Sequence, residues 1–286
     1  MKICILASGS TGNCIFLLYK STRILIDAGI SARETIRRLA QIGEKLSSIN
    51  AICLTHEHAD HVTGLAVLHK NYGINLYANA GTLAALQSTS NIGQFKWHVF
   101  TTGSPFYIDD LTLEPFAVPH DAYEPVGFII SSADTRVGIV TDIGISTCLA
   151  RNRLKGCHVL VIESNHDEQL LAGARRPWSI KQRITSRQGH LSNHDAAEMI
   201  AEVASPNLKC VFLFHLSQDC NRPELALKET AGALKHRGYS GVDVLATYPK
   251  KISIVWSSSA ASNSYHEPVQ VSQPALLGDR SNKEKT

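Results

Sequence analysis

Thr55-His56-Glu57-His58-Ala59-Asp60-His61 is the stretch on which the reading of this sequence turns. It follows a short apolar run, Ala51-Ile52-Cys53-Leu54, that reads as a buried strand, and it leads into a helix predicted from His61 to about Tyr72. Two histidines at i and i+2 on a strand end point to one side. Asp60 and His61 follow as the chain turns into the helix. The spacing offers two imidazoles to one metal ion, and a carboxylate with an imidazole to a neighbouring one. A solvated histidine-rich turn is the alternative on the local motif alone.

Distant residues weigh against that alternative. Asp27 closes Ile24-Leu25-Ile26, His120 closes Phe116-Ala117-Val118-Pro119, Asp142 closes Gly138-Ile139-Val140-Thr141, and His215 closes Val211-Phe212-Leu213-Phe214. Any one of these alone reads as a turn or cap residue, but four such strand ends beside a His-x-His-x-Asp-His run read as a site. The 13 histidines, against 2 methionines and 3 tryptophans, point the same way, because imidazole binds metals and moves protons near neutral pH. Imidazole and carboxylate donors without thiolate suit Zn²⁺, Mn²⁺ or Fe²⁺.

Elsewhere, strands are predicted at 3–7, 14–19, 23–27 and 51–55, with a helix over 31–42 that puts Arg37 and Arg38 on its outer face. Short strand and helix signals alternate over 75–88, and residues 95–141 are β-rich with a hairpin near Ala133-Asp134-Thr135. A strand at 157–162, an irregular polar stretch at 164–189 and a helix at 192–203 come next. Strand 210–214, helix 222–236 and strands 242–246 and 252–256 complete the reading. This order is not a regular βαβ series, so two packed sheets flanked by helices are expected. Residues 257–286 turn to Ser, Asn, Gln, Pro and charge, the composition of a disordered tail.

At 286 residues with 44% hydrophobic and 19% charged side chains, the chain is globular in composition. No apolar stretch approaches the roughly 20 residues that cross a bilayer. The opening apolar run stops at Ser8-Gly9-Ser10, too early for a secretory signal, which predicts a cytoplasmic protein. Seven cysteines form no CxxC pair, against both a disulfide framework and a thiolate zinc site; Cys4, Cys53 and Cys210 sit in strand-like runs and read as buried thiols.

A second block, Arg187-Gln188-Gly189-His190-Leu191-Ser192-Asn193-His194-Asp195, opens the helix at 192–203 with Ser192 as its N-cap. A helix N-terminus suits a phosphate, and His190 stands just before it, placed to bind a phosphate or protonate a leaving oxygen. Residues 169–194 carry Arg175, Arg176, Lys181, Arg183 and Arg187 with no Asp or Glu, a candidate grip for a phosphate backbone. A solvated basic loop is the plain alternative. Asn221 and Glu224 suggest a capping box for the helix at 222–236.

These motifs resemble the metallo-β-lactamase superfamily. The resemblance implies one α+β domain over residues 1–256, an αββα four-layer sandwich of two mixed β-sheets flanked by helices. It matches His56, His58 and His120 to the ligands of a first metal, and Asp60, His61 and His215 to those of a second. Asp142 matches a bridging carboxylate and Asp27 a buried aspartate supporting the ligand loop. Two divalent ions in such a site imply hydrolysis, since a shared water acquires a pKa of about 7. The carboxylate at Asp142 favours thioesterase or phosphodiesterase branches over true β-lactamases.

Gly189-His190-Leu191-Ser192 is similar to the Gly-His-Ser-Thr element of the tRNA 3′-processing ribonucleases, but only 21 residues separate His120 from Asp142, where those enzymes carry a long insertion. SGSTGNC (8–14), VPHD (118–121), ESNHD (163–167) and GHLSN (189–193) instead resemble the YycJ/WalJ branch. That resemblance implies a bacterial 5′→3′ exonuclease on double-stranded DNA, with His190 catalytic and Asp60 also accepting a proton. Ser8, Asn13, Asn165, Arg176, Arg183, Arg187, Ser192 and Asn193 are then candidate substrate contacts. A ribonuclease, a small-molecule hydrolase acting on a thioester or cyclic phosphodiester, and a regulatory protein that kept the fold are the competing readings. Oligomeric state is open, a homodimer included.

Overall fold

A computed structural model describes residues 1–89, 92 and 95–259. The first sheet contains β1 (Lys2–Ala7), β2 (Cys14–Tyr19), β3 (Thr22–Ile26), β4 (Ala51–Cys53), β5 (Asn75–Asn79) and β6 (Trp97–Phe100). The second holds β7 (Phe106–Ile108), β8 (Leu111–Ala117), β9 (Val126–Ser131), β10 (Arg136–Val140), β11 (Val159–Glu163), β12 (Cys210–Phe214) and β13 (Asp243–Ala246). A last short strand, β14 (Trp256–Ser257), returns to the first sheet, whose order is β14-β1-β2-β3-β4-β5-β6. The second sheet runs β13-β12-β11-β10-β9-β8-β7. Both are mixed: β3 to β6 are parallel after antiparallel β1–β3, and β10 to β13 are parallel after antiparallel β7–β10.

Alternation along the strands creates three apolar layers. Ile3, Ile5, Ile15, Leu17, Ile24 and Ile26 face Phe128, Ile130, Val137, Ile139, Val161 and Phe212 between the sheets. Their neighbours Cys4, Leu6, Phe16, Leu25 and Ile52 bury the other face of the first sheet against α1 (Ala32–Gln41), α2 (Ala59–Val62) and α3 (Leu65–Tyr72). Ile129, Val140, Leu160, Ile162, Val211 and Leu213 pack outward on α5 (Cys148–Leu154), α8 (Asn193–Val203) and α9 (Pro223–His236). Three cores separate four layers, the αββα sandwich expected from the sequence. The remaining helices are α4 (Ala80–Thr89), α6 (Glu168–Gly173) and α7 (Trp178–Ile184).

Four expectations need correction. The stretch 164–189 is not irregular: it contains α6 and α7, short helices that bury one residue and none respectively, so no apolar period marks them. Arg38 is not on the outer face of α1 but buried, its Nη1 donating to the carbonyls of Leu6 and Pro249 at 2.7 and 2.8 Å. The helix predicted from His61 is two helices, broken where Gly64 packs its backbone on Ile30; a Cβ there would stand 2.0 Å from the Ile30 carbonyl. Within 252–256 only Trp256 joins a strand, since Ser253 turns its hydroxyl to the Ile5 amide at 2.8 Å. The disordered tail expected over 257–286 falls, from residue 260 onward, outside the described residues. Among the described residues no helix is long and apolar enough to cross a membrane.

Candidate metal centre and catalytic dyad

The carboxyl ends of the parallel strands are where open sheets of this kind place ligands. β3 ends at Asp27 and β4 leads into the 55–61 loop, while β8, β10, β11 and β12 of the facing sheet end near His120, Asp142, Glu163 and His215. His56 and His58 lie beyond β4 rather than on it, in the turn that enters α2 with His58 as its N-cap. Asp27 and His215 both adopt positive φ, +61° and +56°. Left-handed backbone costs a non-glycine residue about 1–2 kcal/mol, and here it stands at the strand ends where Asp27 meets His61 and His215 meets Glu163.

The loop is seated by backbone contact. Asn13 N–H donates to the Asp60 carbonyl at 2.8 Å, and Gly29 N–H to the Asn13 carbonyl at 2.8 Å. Gly29 is required, because a Cβ there would meet the Asp60 carbonyl oxygen at 1.6 Å.

Every imidazole of the cluster is anchored through one nitrogen and turns the other inward. His61 Nδ1 lies 2.8 Å from Asp27 Oδ2, whose carboxylate also accepts from Thr55 N and Thr55 Oγ1 at 2.8 and 2.9 Å. His56 Nδ1 is 3.0 Å from Thr55 Oγ1. His58 Nε2 donates to the Asp121 carbonyl at 3.2 Å and His120 Nδ1 to the Gly189 carbonyl at 3.1 Å. His215 Nδ1 faces Glu163 Oε1 at 3.1 Å. A carbonyl or carboxylate partner demands N–H on the outer nitrogen and leaves the inner lone pair free, as metal-binding histidines require.

The inner atoms converge. Donor atoms of His56, His58 and His120 lie within 4.8 Å of one another, as do those of Asp60, His61 and His215, and Asp142 joins His56 and His61 in a third such group. His56 Nε2 is buried without a hydrogen-bond partner among the described residues, and Asp142 Oδ2 and His215 Nε2 meet atoms of the cluster itself, His61 Nε2 at 3.2 Å and Asp60 Oδ2 at 3.4 Å. Buried polar atoms are rarely left unpartnered, and these three face the same space. The donor chemistry and the unpartnered His56 nitrogen fit divalent metal ions.

Electrostatics agree. Burial opposes charge on His61, yet the carboxylates of Asp27 and Asp142 outweigh it and raise its pKa to about 10. Burial would raise Asp142, but His215 and His61 hold it well below the usual carboxylate range. Asp60 is likewise depressed, burial being outweighed by His215 and His61. Burial and the neighbouring His61 keep His56 neutral.

Glu163 is the functional residue that sequence reasoning missed. Fully buried, it accepts from Ile143 N and Leu191 N on Oε2 at 2.9 and 3.2 Å and faces His190 Nδ1 with Oε1 at 2.6 Å. Burial would lower the His190 pKa, but the Glu163 charge and hydrogen bond outweigh it and raise it. The missed signal was the one used elsewhere: an ionisable residue closing a buried strand, here Val159-Leu160-Val161-Ile162.

Several predicted substrate contacts are placed differently. Ser8 and Asn13 are buried and grip the cluster: Ser8 Oγ accepts from His215 N at 2.8 Å, and Asn13 Nδ2 sits 3.0 Å from Asp60 Oδ2 and 2.9 Å from His61 Nε2. Asn165 donates to the His215 carbonyl at 2.9 Å and also lines a groove. Ser192 caps α8, accepting from Asp195 N at 3.1 Å and donating to Asp195 Oδ2 at 2.9 Å. That end of α8 is closed by its own carboxylate, not open to phosphate.

Asn193 is buried in a reciprocal amide pair with Asn221, both contacts 2.9 Å. Asn221 therefore caps nothing; the N-cap of α9 is Arg222.

The basic segment is not free of acid in space. Arg176 pairs with Asp219 and Arg183 with Asp121, each at 2.5 Å. Both arginines line a groove of about 200 Å³ that reaches His190 and His215. Arg187 is exposed, and its main chain packs against Gly144.

Comparison with known proteins matches this architecture. A family model described as a beta-lactamase superfamily domain covers residues 22–215. The chain is 36% identical over 236 residues to exodeoxyribonuclease YycJ of Bacillus anthracis, spanning 82% of this chain and 89% of that protein. It is 36% identical over 228 residues to exodeoxyribonuclease WalJ of Streptococcus pneumoniae, spanning 79% and 85%. The metallo-beta-lactamase fold protein YhfI from Bacillus subtilis superposes with a TM-score of 0.68 at 15% identity, covering 88% of this chain and 98% of that one. Two sheets that meet over one His/Asp cluster, a family model spanning that cluster and two relatives of nearly full length lead to one assignment: the chain belongs to the beta-lactamase superfamily, in the branch of the YycJ and WalJ exodeoxyribonucleases.

Proposed function

We propose that this protein is a metal-dependent exodeoxyribonuclease that removes nucleotides 5′→3′ from double-stranded DNA and works with two divalent ions. The observation that carries the reading is the His190–Glu163 dyad standing beside a cluster of inward-facing donor atoms. The names of the two exodeoxyribonuclease relatives support DNA as substrate. His56, His58 and His120 would hold one ion, Asp60, His61 and His215 the other, with Asp142 between them. Such ions supply Lewis acidity toward phosphoryl oxygens and a nucleophile at neutral pH.

The chain's own residues do the rest. Asp27 and Glu163 fix the tautomers of His61 and His215, and Asn13 and Ser8 hold the ligand loops in register. His190, its Nδ1 anchored on Glu163, presents Nε2 to the leaving oxygen and donates a proton there. Asp60 has its pKa lowered, which suits a ligand; we assign it no proton transfer. Arg176 and Arg183 meet the phosphate backbone from the groove, each exchanging its carboxylate partner for phosphate. Seven free thiols support a reducing, cytoplasmic setting.

The test is digestion of end-labelled DNA and RNA duplexes and single strands after loading with Zn²⁺ or Mn²⁺, with His58→Ala as control. Mononucleotides released in order from the 5′ end of duplex DNA are expected from the wild type and absent with His58→Ala. Arg176→Ala with Arg183→Ala should lose more activity on DNA than on bis(p-nitrophenyl) phosphate. Equal losses on both substrates, or DNA cleavage surviving in His58→Ala, would sink the assignment.

A further inference from the structure

A second cavity, of about 640 Å³, opens beside His190 and shares only that residue with the arginine-lined groove. Its size lies within the range of small-molecule sites. Trp178 stands on its lining as a residue 71% exposed, on a helix that buries none of its residues. An indole so exposed contributes nothing to a core and offers a flat apolar face.

The inner wall is different in kind. Leu171 is buried there, and His166 is 2% exposed, with Nδ1 buried and without a hydrogen-bond partner among the described residues. Buried polar atoms are seldom left unpartnered, so this ring has a hydrogen bond to offer a group that enters the cavity. The charges restrict what that group is. Glu168 and Asp195 line the cavity, Asp195 fixed by the Ser192 hydroxyl, whereas Lys181 has its ammonium on the Ala172 carbonyl at 2.5 Å. Apart from His190, which the cavity shares with the groove, its charges are these two carboxylates and the Lys181 ammonium, a net negative lining that disfavours a phosphate in the body of the cavity. A neutral, flat ligand with polar edges suits both walls.

We propose that this cavity is a nucleobase pocket: it receives the base of a nucleotide flanking the scissile bond, which stacks on Trp178 and hydrogen-bonds His166 while its phosphate lies at His190. The inference rests on the nucleolytic reading of the neighbouring site and adds to it a contact that the metals and arginines do not supply. Stacking on an aromatic side chain is tolerant of base identity, so the pocket positions a strand end without reading its sequence.

The experiment is a cycle with metal-loaded wild type and Trp178→Ala on duplex DNA that is intact or lacks the base on either nucleotide flanking the first scissile bond. One of the two base deletions should cost the wild type about tenfold in kcat/KM, the worth of one stacked base. Trp178→Ala on intact DNA should lose a similar factor through KM, and the same base deletion should cost it nothing more. His166→Gln, which keeps a polar edge, should lose less than His166→Leu. Additive losses in the cycle, or no loss from either base deletion, overturn the proposal.

If the wild type turns over bis(p-nitrophenyl) phosphate but no DNA, the nucleolytic reading fails on its own. The pocket is then decided by titrating metal-free protein with deoxyadenosine: saturable quenching of tryptophan emission that disappears in Trp178→Phe upholds it, and its absence overturns it.

Discussion

Replacing Glu163 by Gln changes one atom and should disable two histidines. The Oε2 position must remain an acceptor, because the buried amides of Ile143 and Leu191 donate to it at 2.9 and 3.2 Å. The amide oxygen of Gln therefore stays there, and its NH₂ takes the place of Oε1. That NH₂ then faces His190 Nδ1 and His215 Nδ1, at positions now 2.6 and 3.1 Å from an acceptor. Both rings must accept on Nδ1 and carry their proton on Nε2. His215 thereby loses the lone pair it turns toward the cluster, and metal affinity should fall about 10–100-fold, as for other lost outer partners of metal-bound histidines. His190 loses the carboxylate that raises its pKa, and removing a general acid costs about 10²–10⁴-fold in rate.

The sign of the pH effect follows. An acid that must be protonated loses activity as pH rises through its pKa, so the falling limb of the rate profile should move to lower pH in Glu163→Gln. Saturating metal should restore occupancy but not rate, which separates the two histidines. The backbone bonds survive, so the metal-free variant should lose less melting temperature than Glu163→Ala. Glu163→Ala strands two buried amides instead, at about 1–3 kcal/mol each. Chelator-competition titration and kcat against pH are the assays. Wild-type metal affinity together with an unmoved falling limb in Glu163→Gln would refute the assignment of Glu163 as the group that sets both tautomers.

Three further outcomes are expected. Asp27→Asn should weaken metal binding by about 10–100-fold in the same titration, because the Thr55 amide claims the amide oxygen and leaves NH₂ against His61 Nδ1. In the metal-free protein His61 has its pKa raised from 6.5 to about 10. Its contribution to stability is full below the unfolded value and is lost as pH rises through the folded one, so the melting temperature should decline between those pH values and the decline should flatten in Asp27→Asn. Of the seven thiols, only that of Cys148 is exposed, while burial pushes Cys157 up to about 11 and Cys4 up to about 12. Native protein should titrate one rapid thiol with Ellman's reagent and seven after denaturation; two or more rapid thiols in the native state would contradict the packing.

The sandwich was legible because its strands are buried on both sides. β1, β3, β4, β10, β11 and β12 form near-continuous apolar runs, and a run that ends in Asp or His is visible without knowing its neighbours. What escaped the sequence depends on pairing between distant segments. α7 buries nothing and so leaves no period to read, and yet it carries Trp178 and Arg183 to the site. The stretch around it is basic in sequence, but its charge is partly cancelled by Asp121 and Asp219, which lie 62 and 43 residues away along the chain.

Ser8, Asn13 and Asn193 could be recognised as motif positions, but their work is done inside the protein, satisfying backbone and ligand atoms that no local pattern reveals. Glu163 joins both kinds. Its place at a strand end was readable, whereas its role arises only where β11 lies between β10 and β12, so that one carboxylate reaches Ile143, Leu191, His190 and His215 together. A carboxylate wholly buried among four donors cannot be exchanged for a neutral isostere without reversing the polarity of two of them, which is why the site's least exposed acid is the one whose replacement should be felt in both metal binding and proton transfer.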